Sequence, residues 1–334
     1  MTEEAATRVV LPWRRTILAG LAALPAFGGA PRAQRAFPER PVRLVVPYGA
    51  GSATDTLTRQ IATVMSPSLG QPAVVDNRPG ANTIIAAEHV ARSAPDGYTL
   101  IVATDQLMCF NPVLFQHRLP YDPMRDFAAV AGLTAHPLML VVSPALPARS
   151  VPELVALAKA QPSRISFASP GVASAGHLVA EVFQREASIE MTHVAYNNIG
   201  QLFADLLAGT VQVLFYPYQQ LKPHLEAGRV RPLANPTMSR TLLPGLPTMP
   251  ELGYPRSIIA PWVAMYAPAG TPDDRIARLS EAARIALENP EIRAALSDVG
   301  IEIRYRPSAD LAAFTATEAT NCRELVTISG ARID

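Results

Sequence analysis

Reactive side chains are abundant in this chain, but their spacing does not match the known catalytic or metal-binding motifs. The six histidines include no H-E-x-x-H pattern and none pairs with a cysteine at metal-ligand spacing. The loop that begins Gly49-Ala50-Gly51 has Thr54 where a dinucleotide-binding loop needs its third glycine. The segment from Gly171 to Gly176 has Val172 where a nucleophile elbow requires glycine. The sequence therefore predicts a protein that is not an enzyme and has no cofactor and no metal.

One catalytic alternative remains at Ser174 and His177, which lie three residues apart and would share one face of a helix. A serine nucleophile needs a base, and that base needs a third group to orient it. No acidic residue is evident for this orienting role. A secreted hydrolase is therefore a weaker hypothesis than a binding protein.

Loops rich in Gly, Ser and Thr link predicted strands to predicted helices in both halves of the chain. The first N–H groups of a helix lack partners within it, and the helix dipole adds positive potential there. Such a start can bind a carboxylate without any Arg or Lys. The candidate loops are Gly49 to Asp55, the Thr104 region, and Ser169 to His177. Within the first, Asp55 has two interpretations: it caps the following helix, or it binds a ligand amine or water.

Short apolar strands alternate with helical stretches, which predicts parallel sheets in an α/β fold. Two longer apolar segments, 128–142 and 258–268, contain prolines and fit neither set of units. We interpret them as strands that cross between two lobes. Lobe 1 would then comprise residues 37–136 plus 260–334, and lobe 2 residues 137–259. Ligands of open parallel sheets lie beyond the carboxyl ends of the strands, where the candidate loops fall.

Residues 1–36 have the order of a signal peptide: basic residues, an apolar run from Ile17 to Phe27, and then small residues. Cleavage would fall near residues 30–36, which predicts a periplasmic protein. The adjacent Arg14 and Arg15 fit either a twin-arginine signal or an ordinary secretion signal. The formal net charge of +1 provides no overall field that would attract nucleic acid or an anionic membrane.

Cys109 and Cys322 are the two cysteines of the chain. An oxidising compartment permits a disulfide between them, but two buried free thiols are the alternative that we favour slightly. The sequence does not show whether their Cα atoms come close enough to be bridged.

A series of short motifs along the mature chain resembles the Bug family of extracytoplasmic solute receptors, the binding subunits of tripartite tricarboxylate transporters. The motifs are VVPYGAG at 45–51 with Asp55, VDNRPGA at 75–81, APDGYTL at 94–100, LPYDP at 119–123, DF at 126–127, ASPG at 168–171, HL at 177–178 with Glu181, HVAY at 193–196, DLLAG at 205–209 and LPTMPE at 246–251.

This resemblance implies a two-lobed periplasmic-binding-protein fold that closes around a small carboxylate, held by backbone groups and bridging waters. By position, the residues expected to bind ligand are Tyr48, Gly49, Ala50, Gly51, Ser52, Asp55, Thr104, Asp105, Ser169, Pro170, Gly171, Ser174, His177, Tyr196 and Tyr216.

The chain departs from the family pattern at three places. Asn197-Asn198 stands where the family usually has Lys-Gly, Tyr216 where it has an acidic residue, and Ser52 where it has glycine. The changes at Tyr216 and Ser52 lie near the expected pocket mouth and alter its charge or size.

The leading functional hypothesis is a monomeric receptor that captures a small organic acid or related metabolite and delivers it to integral-membrane permease subunits. The alternative is a periplasmic sensor that presents its closed form to a membrane signalling protein. The sequence does not separate these two, and it does not identify the ligand.

Overall fold

The computed structural model describes residues 37–236 and 243–330, without the side chain of His117. The predicted signal peptide at 1–36 lies outside the described residues. Within the described ranges, no helix combines the length and the hydropathy that a membrane span requires.

The first sheet has strands in the order β11-β4-β10-β3-β1-β2. β1, β2 and β3 run parallel, whereas β10 is antiparallel to β3 and β4, and β11 is antiparallel to β4. The carboxyl ends of β1 and β3 therefore meet at one edge of the sheet. The strands are β1 (Val42–Val46), β2 (Ala73–Asn77), β3 (Thr99–Thr104), β4 (Phe127–Ala135), β10 (Trp262–Pro268) and β11 (Glu302–Pro307).

The second sheet has strands in the order β7-β6-β8-β5-β9. β6 runs parallel to β7 and β8, and β5 runs antiparallel to β8 and β9. The strands are β5 (Leu138–Val142), β6 (Ser166–Ser169), β7 (Thr192–Ala195), β8 (Val213–Pro217) and β9 (Arg231–Ala234).

Helices cover the faces of both sheets. The longer ones are α1 (Ala53–Leu69), α2 (Ile84–Ala91), α4 (Val151–Ala160), α5 (Ala175–Ala187), α6 (Ile199–Ala208), α7 (Tyr218–Glu226), α8 (Asp273–Glu288), α9 (Pro290–Asp298) and α10 (Ser308–Ser329). A π-helix at Gln106–Phe110 leads directly into the short α3 (Asn111–Phe115).

Both faces of the first sheet are buried, because successive side chains of a strand point to opposite faces. Leu44 packs in a core with Leu57 of α1 and Leu279 of α8, whereas Val45 packs in a second core with Leu311 of α10. This second core also contains Leu178 of α5, so α5 and α10 join the two halves of the fold.

The chain passes from the first sheet to the second at His136-Pro137 and returns between Ala234 and Trp262. The segment predicted as one crossing strand over 128–142 is therefore two strands, one in each sheet. In the other predicted crossing segment, residues 258–261 have no strand structure and β10 begins at Trp262. We propose the lobe boundaries at these crossings, with lobe 1 as 37–136 plus 260–334 and lobe 2 as 137–259.

Candidate functional site

At the junction between β1 and α1, the first N–H groups of the helix lack acceptors; we call such a junction an open helix start. The Ser52 hydroxyl caps α1 by accepting a hydrogen bond from the Asp55 N–H at 3.2 Å. The N–H groups of Ala53 and Thr54, at the first two helical positions, have no acceptor within the described chain. These are the donors that every helix start leaves without an internal partner.

The junction between β6 and α5 presents a second open start from the other sheet. The Ser174 hydroxyl does not cap α5; it donates to the Gly171 carbonyl oxygen at 2.8 Å. The N–H groups of Ala175 and Gly176 consequently have no acceptor within the described ranges.

At the carboxyl end of β3, Thr104 and Asp105 lead into the π-helix. The Thr104 hydroxyl is hydrogen-bonded to the Tyr48 hydroxyl at 2.9 Å, which ties the ends of β3 and β1 together. The Asp105 carboxylate accepts from the Gln106 N–H at 3.0 Å and is buried. Burial raises the pKa of Asp105 to about 7, and Glu318 raises it further by charge repulsion.

His136 lies at the crossing between the sheets and contacts both halves of the fold. Its Nε2 is 3.0 Å from the Thr134 hydroxyl, and its Nδ1 is 3.3 Å from Gln219 Oε1 on α7. Burial lowers the pKa of His136 to about 4, so the ring is neutral at pH 7. A neutral imidazole offers one donor and one acceptor, which matches these two contacts.

These junctions surround a cavity of about 420 Å³ between the ends of the two sheets. Both open helix starts are on its wall. Among its described lining residues there is no Arg or Lys, and Asp105 is the one carboxyl. The lining residues are Tyr48, Ser52, Ala53, Thr54, Thr104, Asp105, Gln106, His136, Leu138, Pro170, Ser174, Ala175, Gly176, Phe215, Tyr216, Pro217, Gln219, Gln220, Pro261, Trp262 and Val263.

Seven of the residues expected to bind ligand are on this wall, and eight are not. Those on the wall are Tyr48, Ser52, Thr104, Asp105, Pro170, Ser174 and Tyr216. Those outside it are Gly49, Ala50, Gly51, Asp55, Ser169, Gly171, His177 and Tyr196. For these eight, direct contact with the ligand stays a prediction.

Asp55 is outside the wall because its carboxylate is used within lobe 1. It accepts hydrogen bonds from the Gly51 N–H and from Asn77 Nδ2, both at 2.8 Å, and forms an ion pair with Arg59 at 3.0 Å. The Arg59 hydrogen bond is the main reason that the pKa of Asp55 falls to about 2. Ser52 caps α1, so the predicted capping role of Asp55 is wrong; its carboxylate instead holds the loop before α1.

The loop that leads into α5 uses its own polar groups in the same way. Ser169 is fully buried, and its hydroxyl donates to the Gly171 carbonyl oxygen at 2.8 Å. His177 Nδ1 accepts from the Ala173 N–H at 3.0 Å, and its ring stacks on that of His193 with centroids 4.0 Å apart. These bonds hold the loop in shape and keep the residues off the wall.

The hydrolase hypothesis finds no support in these contacts. The Ser174 hydroxyl is bonded to a backbone carbonyl, and His177 Nδ1 is bonded to a backbone N–H. The activating serine–histidine hydrogen bond is therefore not formed. An acidic residue that sequence reasoning did not find, Glu181, does lie near the ring, with its Oε1 3.8 Å from His177 Nε2.

The Tyr196 hydroxyl donates to Asp205 Oδ2 at 2.7 Å, outside the cavity. Tyr216 is on the wall, and its ring packs edge-on against Phe203 at 5.5 Å between centroids. Burial raises the pKa of Tyr216 to about 12, so its hydroxyl is neutral at pH 7.

Sequence reasoning missed several wall residues, of which Gln106, His136, Gln219 and Gln220 are polar. Thr54, also polar, fell within the candidate loop Gly49 to Asp55 but not among the residues expected to bind ligand. Gln106 could have been predicted from the sequence, because it directly follows the predicted Thr104–Asp105 turn. His136 and Gln219 are 83 residues apart in the chain and meet through sheet pairing, which no local pattern reveals. Trp262 packs in the core against Phe314 and also lines the wall.

Two sheets flanked by helices, with a cavity between their ends, define the class of two-lobed periplasmic-binding-protein folds. A family model described as the tripartite tricarboxylate transporter family receptor matches residues 57–330. The chain belongs to this family, which confirms the family resemblance and the two-lobed α/β fold predicted from the sequence. The two sheets are mixed, however, with both parallel and antiparallel strand pairs where parallel sheets were expected.

Curated relatives agree with this assignment. The chain is 32% identical over 305 residues to the protein BugT of Bordetella pertussis, covering 91% of this chain and 94% of that protein. It is 34% identical over 317 residues to a UPF0065 protein from the tcbD-tcbE intergenic region of Pseudomonas sp. strain P51, covering 94% of each.

Solved structures are similar over nearly the whole described chain. Rpa4515 of R. palustris, solved with adipate, is 33% identical with a TM-score of 0.78, covering 89% of this chain and 99% of that one. MatC of Rhodopseudomonas palustris, solved with bound malate, is 30% identical with a TM-score of 0.74, covering 87% and 100%.

Proposed function

We propose that this protein is exported to the periplasm, where it captures a small carboxylate-bearing metabolite between its two lobes and passes it to permease subunits. In this proposal it acts as a monomer, without catalysis, cofactor, metal or nucleic acid. Membership of the receptor family supports the proposal, as do the adipate and malate bound by its structural relatives.

The observation that carries the proposal is the convergence of two open helix starts on one cavity. One start comes from α1 in lobe 1 and the other from α5 in lobe 2. Each offers free N–H groups and the positive end of a helix dipole, which together favour an anion. The described wall residues include no Arg or Lys, and His136 is neutral at pH 7, so main-chain N–H groups are the main donors that can bind a carboxylate.

A ligand that contacts both starts at once stabilises the closed arrangement of the lobes. The shift of the open–closed equilibrium is set by how much more tightly the ligand binds the closed form than the open one. His136 and Gln219, hydrogen-bonded across the crossing between the sheets, lie where such a movement would be concentrated.

The proposal can be tested by replacing the first residue of each helix with proline. Proline at this position suits helical geometry but removes the N–H donor. Ser52 and Ser174, the preceding residues, have extended backbones that tolerate a following proline. Ala53→Pro and Ala175→Pro therefore delete one proposed ligand contact each while preserving the helix.

The assay measures the melting temperature of the mature protein with a panel of organic acids, followed by titration calorimetry with those that bind. We expect at least one small carboxylate to raise the melting temperature, since a ligand that binds only the native state stabilises it. Each proline variant should weaken that ligand about tenfold or more, because a hydrogen bond to a charged group contributes roughly 1.5–3 kcal/mol.

Asp273→Pro is the matched control, because it makes the same change at the start of α8, away from the cavity. It should leave the affinity unchanged. A panel without any binding acid, or proline variants that bind like the control, would contradict the proposed function.

A further inference from the structure

The cavity wall combines two donor-rich helix starts with a single acidic side chain. Asp105 is 8% exposed, and its carboxylate accepts hydrogen bonds from main-chain N–H groups, those of Gln106 and of Asp105 itself. It forms no ion pair within the described residues. Because the parallel strands β1 and β3 end at the same edge, Asp105 faces the same cavity as the start of α1.

The titratable groups around Asp105 do not balance its charge. Glu318 and Cys322 interact with it from α10, and Tyr48 from the end of β1. Cys109, on its own π-helix, is hydrogen-bonded to Cys322. His136, on the same wall, is neutral because burial lowers its pKa to about 4. None of these groups is a cation.

The contrast with Asp55 shows what Asp105 lacks. Asp55 is also buried, but Arg59, Asn77 and the Gly51 N–H all contact its carboxylate. A buried carboxylate without such partners is costly, and an ionisable group of this kind in a cleft is a candidate for ligand recognition. Whatever complements Asp105 has to enter the cavity.

From this arrangement we infer that Asp105 is a specificity-determining residue, which binds an N–H group of the ligand and disfavours a second carboxylate. The inference rests on the proposed function, which places a carboxylate of the ligand at the helix starts. The partner of Asp105 is then an amine or a carboxamide at the other end of the ligand. A dicarboxylate would instead bring a like charge toward Asp105 in surroundings that screen it poorly.

Two matched series of ligands test this inference. The four-carbon series is succinate, succinamate and 4-aminobutanoate, and the five-carbon series is glutarate, glutaramate and 5-aminopentanoate. Within a series the first carboxylate and the length stay nearly constant while the far group changes. Affinities are measured by titration calorimetry at pH 8, because burial raises the pKa of Asp105 to about 7 and the group is mostly ionised at pH 8.

We expect the amide or the amine of at least one series to bind ten times more tightly than its dicarboxylate. Preference for the amine identifies a charged partner of Asp105, and preference for the amide identifies a neutral one. In Asp105→Asn this preference should fall at least tenfold, with part of the change arising from tighter dicarboxylate binding. Asparagine can still accept the Gln106 N–H, so the start of the π-helix is preserved.

Asp274→Asn is the control, because it removes an exposed carboxylate from the first turn of α8, outside the cavity. It should reproduce the wild-type preference. Dicarboxylates that bind as tightly as their amides and amines, in wild type and in Asp105→Asn alike, would overturn the inference and leave the proposed function intact. If no compound binds and the broader acid panel also fails, both are overturned.

Discussion

Gly176 lies so close to Phe215 that a β-carbon built on the glycine would be 2.3 Å from the Phe215 carbonyl oxygen. Real β-carbons do not approach backbone oxygen atoms so closely, so any side chain at this position forces α5 away from β8. The start of α5 is one of the two proposed binding groups for the carboxylate. The glycine therefore sets the position of these donors on the cavity wall.

Gly176→Ala should displace the start of α5, lower stability by roughly 1–3 kcal/mol as overpacking does, and weaken ligand binding about tenfold. Thermal unfolding and titration calorimetry measure the two effects. Gly245→Ala is the control, because a β-carbon there meets no atom within 4 Å. Wild-type affinity in Gly176→Ala would show that the position of α5 does not govern binding.

The strands, the loops and the family could be predicted because they depend on local patterns: β-branched runs, turn residues and short motifs in a fixed order. Which acidic residue faces the cavity was harder to predict. Asp55 and Asp105 both follow strands, and the structure orients only the second toward the wall. Arg59, one helical turn after Asp55, was a local signal that the first carboxylate is already paired.

The end of α1 illustrates a different limit of local patterns. Pro67 lies inside α1, which continues to Leu69 and ends at Gly70, whose φ is 72°. A proline in the last turn disturbs few of the hydrogen bonds that hold the rest of the helix. The glycine is the stronger terminator here because it adopts the left-handed conformation that closes the helix.

Asp55→Asn should destabilise the fold and leave ligand binding nearly unchanged. The pKa of Asp55 is lowered to about 2, so its ion pair stabilises the protein above pH 4 and is lost as the pH falls toward 2. We expect a loss of about 1 kcal/mol at pH 7, discounted because Arg59 is half exposed and screened by solvent. Denaturant unfolding of wild type and variant at pH 7 and at pH 2.5 measures this loss of stability, which should be smaller at the lower pH.

Affinity in the same variant separates structural support from direct contact. Since the Asp55 carboxylate is not on the wall, the ligand dissociation constant should change less than threefold. A tenfold loss of affinity without any loss of stability would restore Asp55 as a ligand-binding residue.

Asp105→Asn should make the ligand-free protein more stable at pH 8. An acid whose folded-state pKa is raised to about 7 binds more protons when folded than when unfolded, so stability falls as the pH rises from about 4 to 7. Removing this group should add a few kcal/mol at pH 8, at roughly 1.4 kcal/mol for each pKa unit. The gain in stability should vanish near pH 4. Unfolding curves measured from pH 4 to pH 8 test this, and a stability difference between variant and wild type that does not change with pH would contradict the prediction.

Cys109 and Cys322 are both free and buried, and their thiols are hydrogen-bonded to each other. This hydrogen bond and burial raise the pKa of the Cys322 thiol well above its usual value, so the reactive thiolate does not form near neutral pH. A thiol reagent should therefore modify neither cysteine in the native protein and both after unfolding without reductant. Detection of no thiol after unfolding would instead identify a disulfide.

His177 should make the protein sensitive to acid. Burial, together with the adjacent His193, lowers the pKa of His177 to about 4, whereas the residue titrates near 6.5 in the unfolded chain. The unfolded state then binds more protons between these values, so stability falls as the pH drops from 6.5 to 4, by up to about 3 kcal/mol. A proton on Nδ1 would also break the hydrogen bond from the Ala173 N–H, which holds the loop that carries Pro170 and Ser174 to the cavity.

His177→Asn places an amide oxygen near the position of Nδ1, so it can still accept the Ala173 N–H but cannot be protonated. Loss of the stacked ring should lower the stability of the variant at pH 8. Each protein's stability at pH 8 is therefore the reference for its loss of stability at lower pH. Below pH 6.5 the variant should lose less stability than wild type, and its ligand affinity should fall less steeply with acid. Unfolding and binding measured from pH 8 to pH 4 test both effects; parallel curves for the two proteins would show that His177 is not the residue that responds to acid.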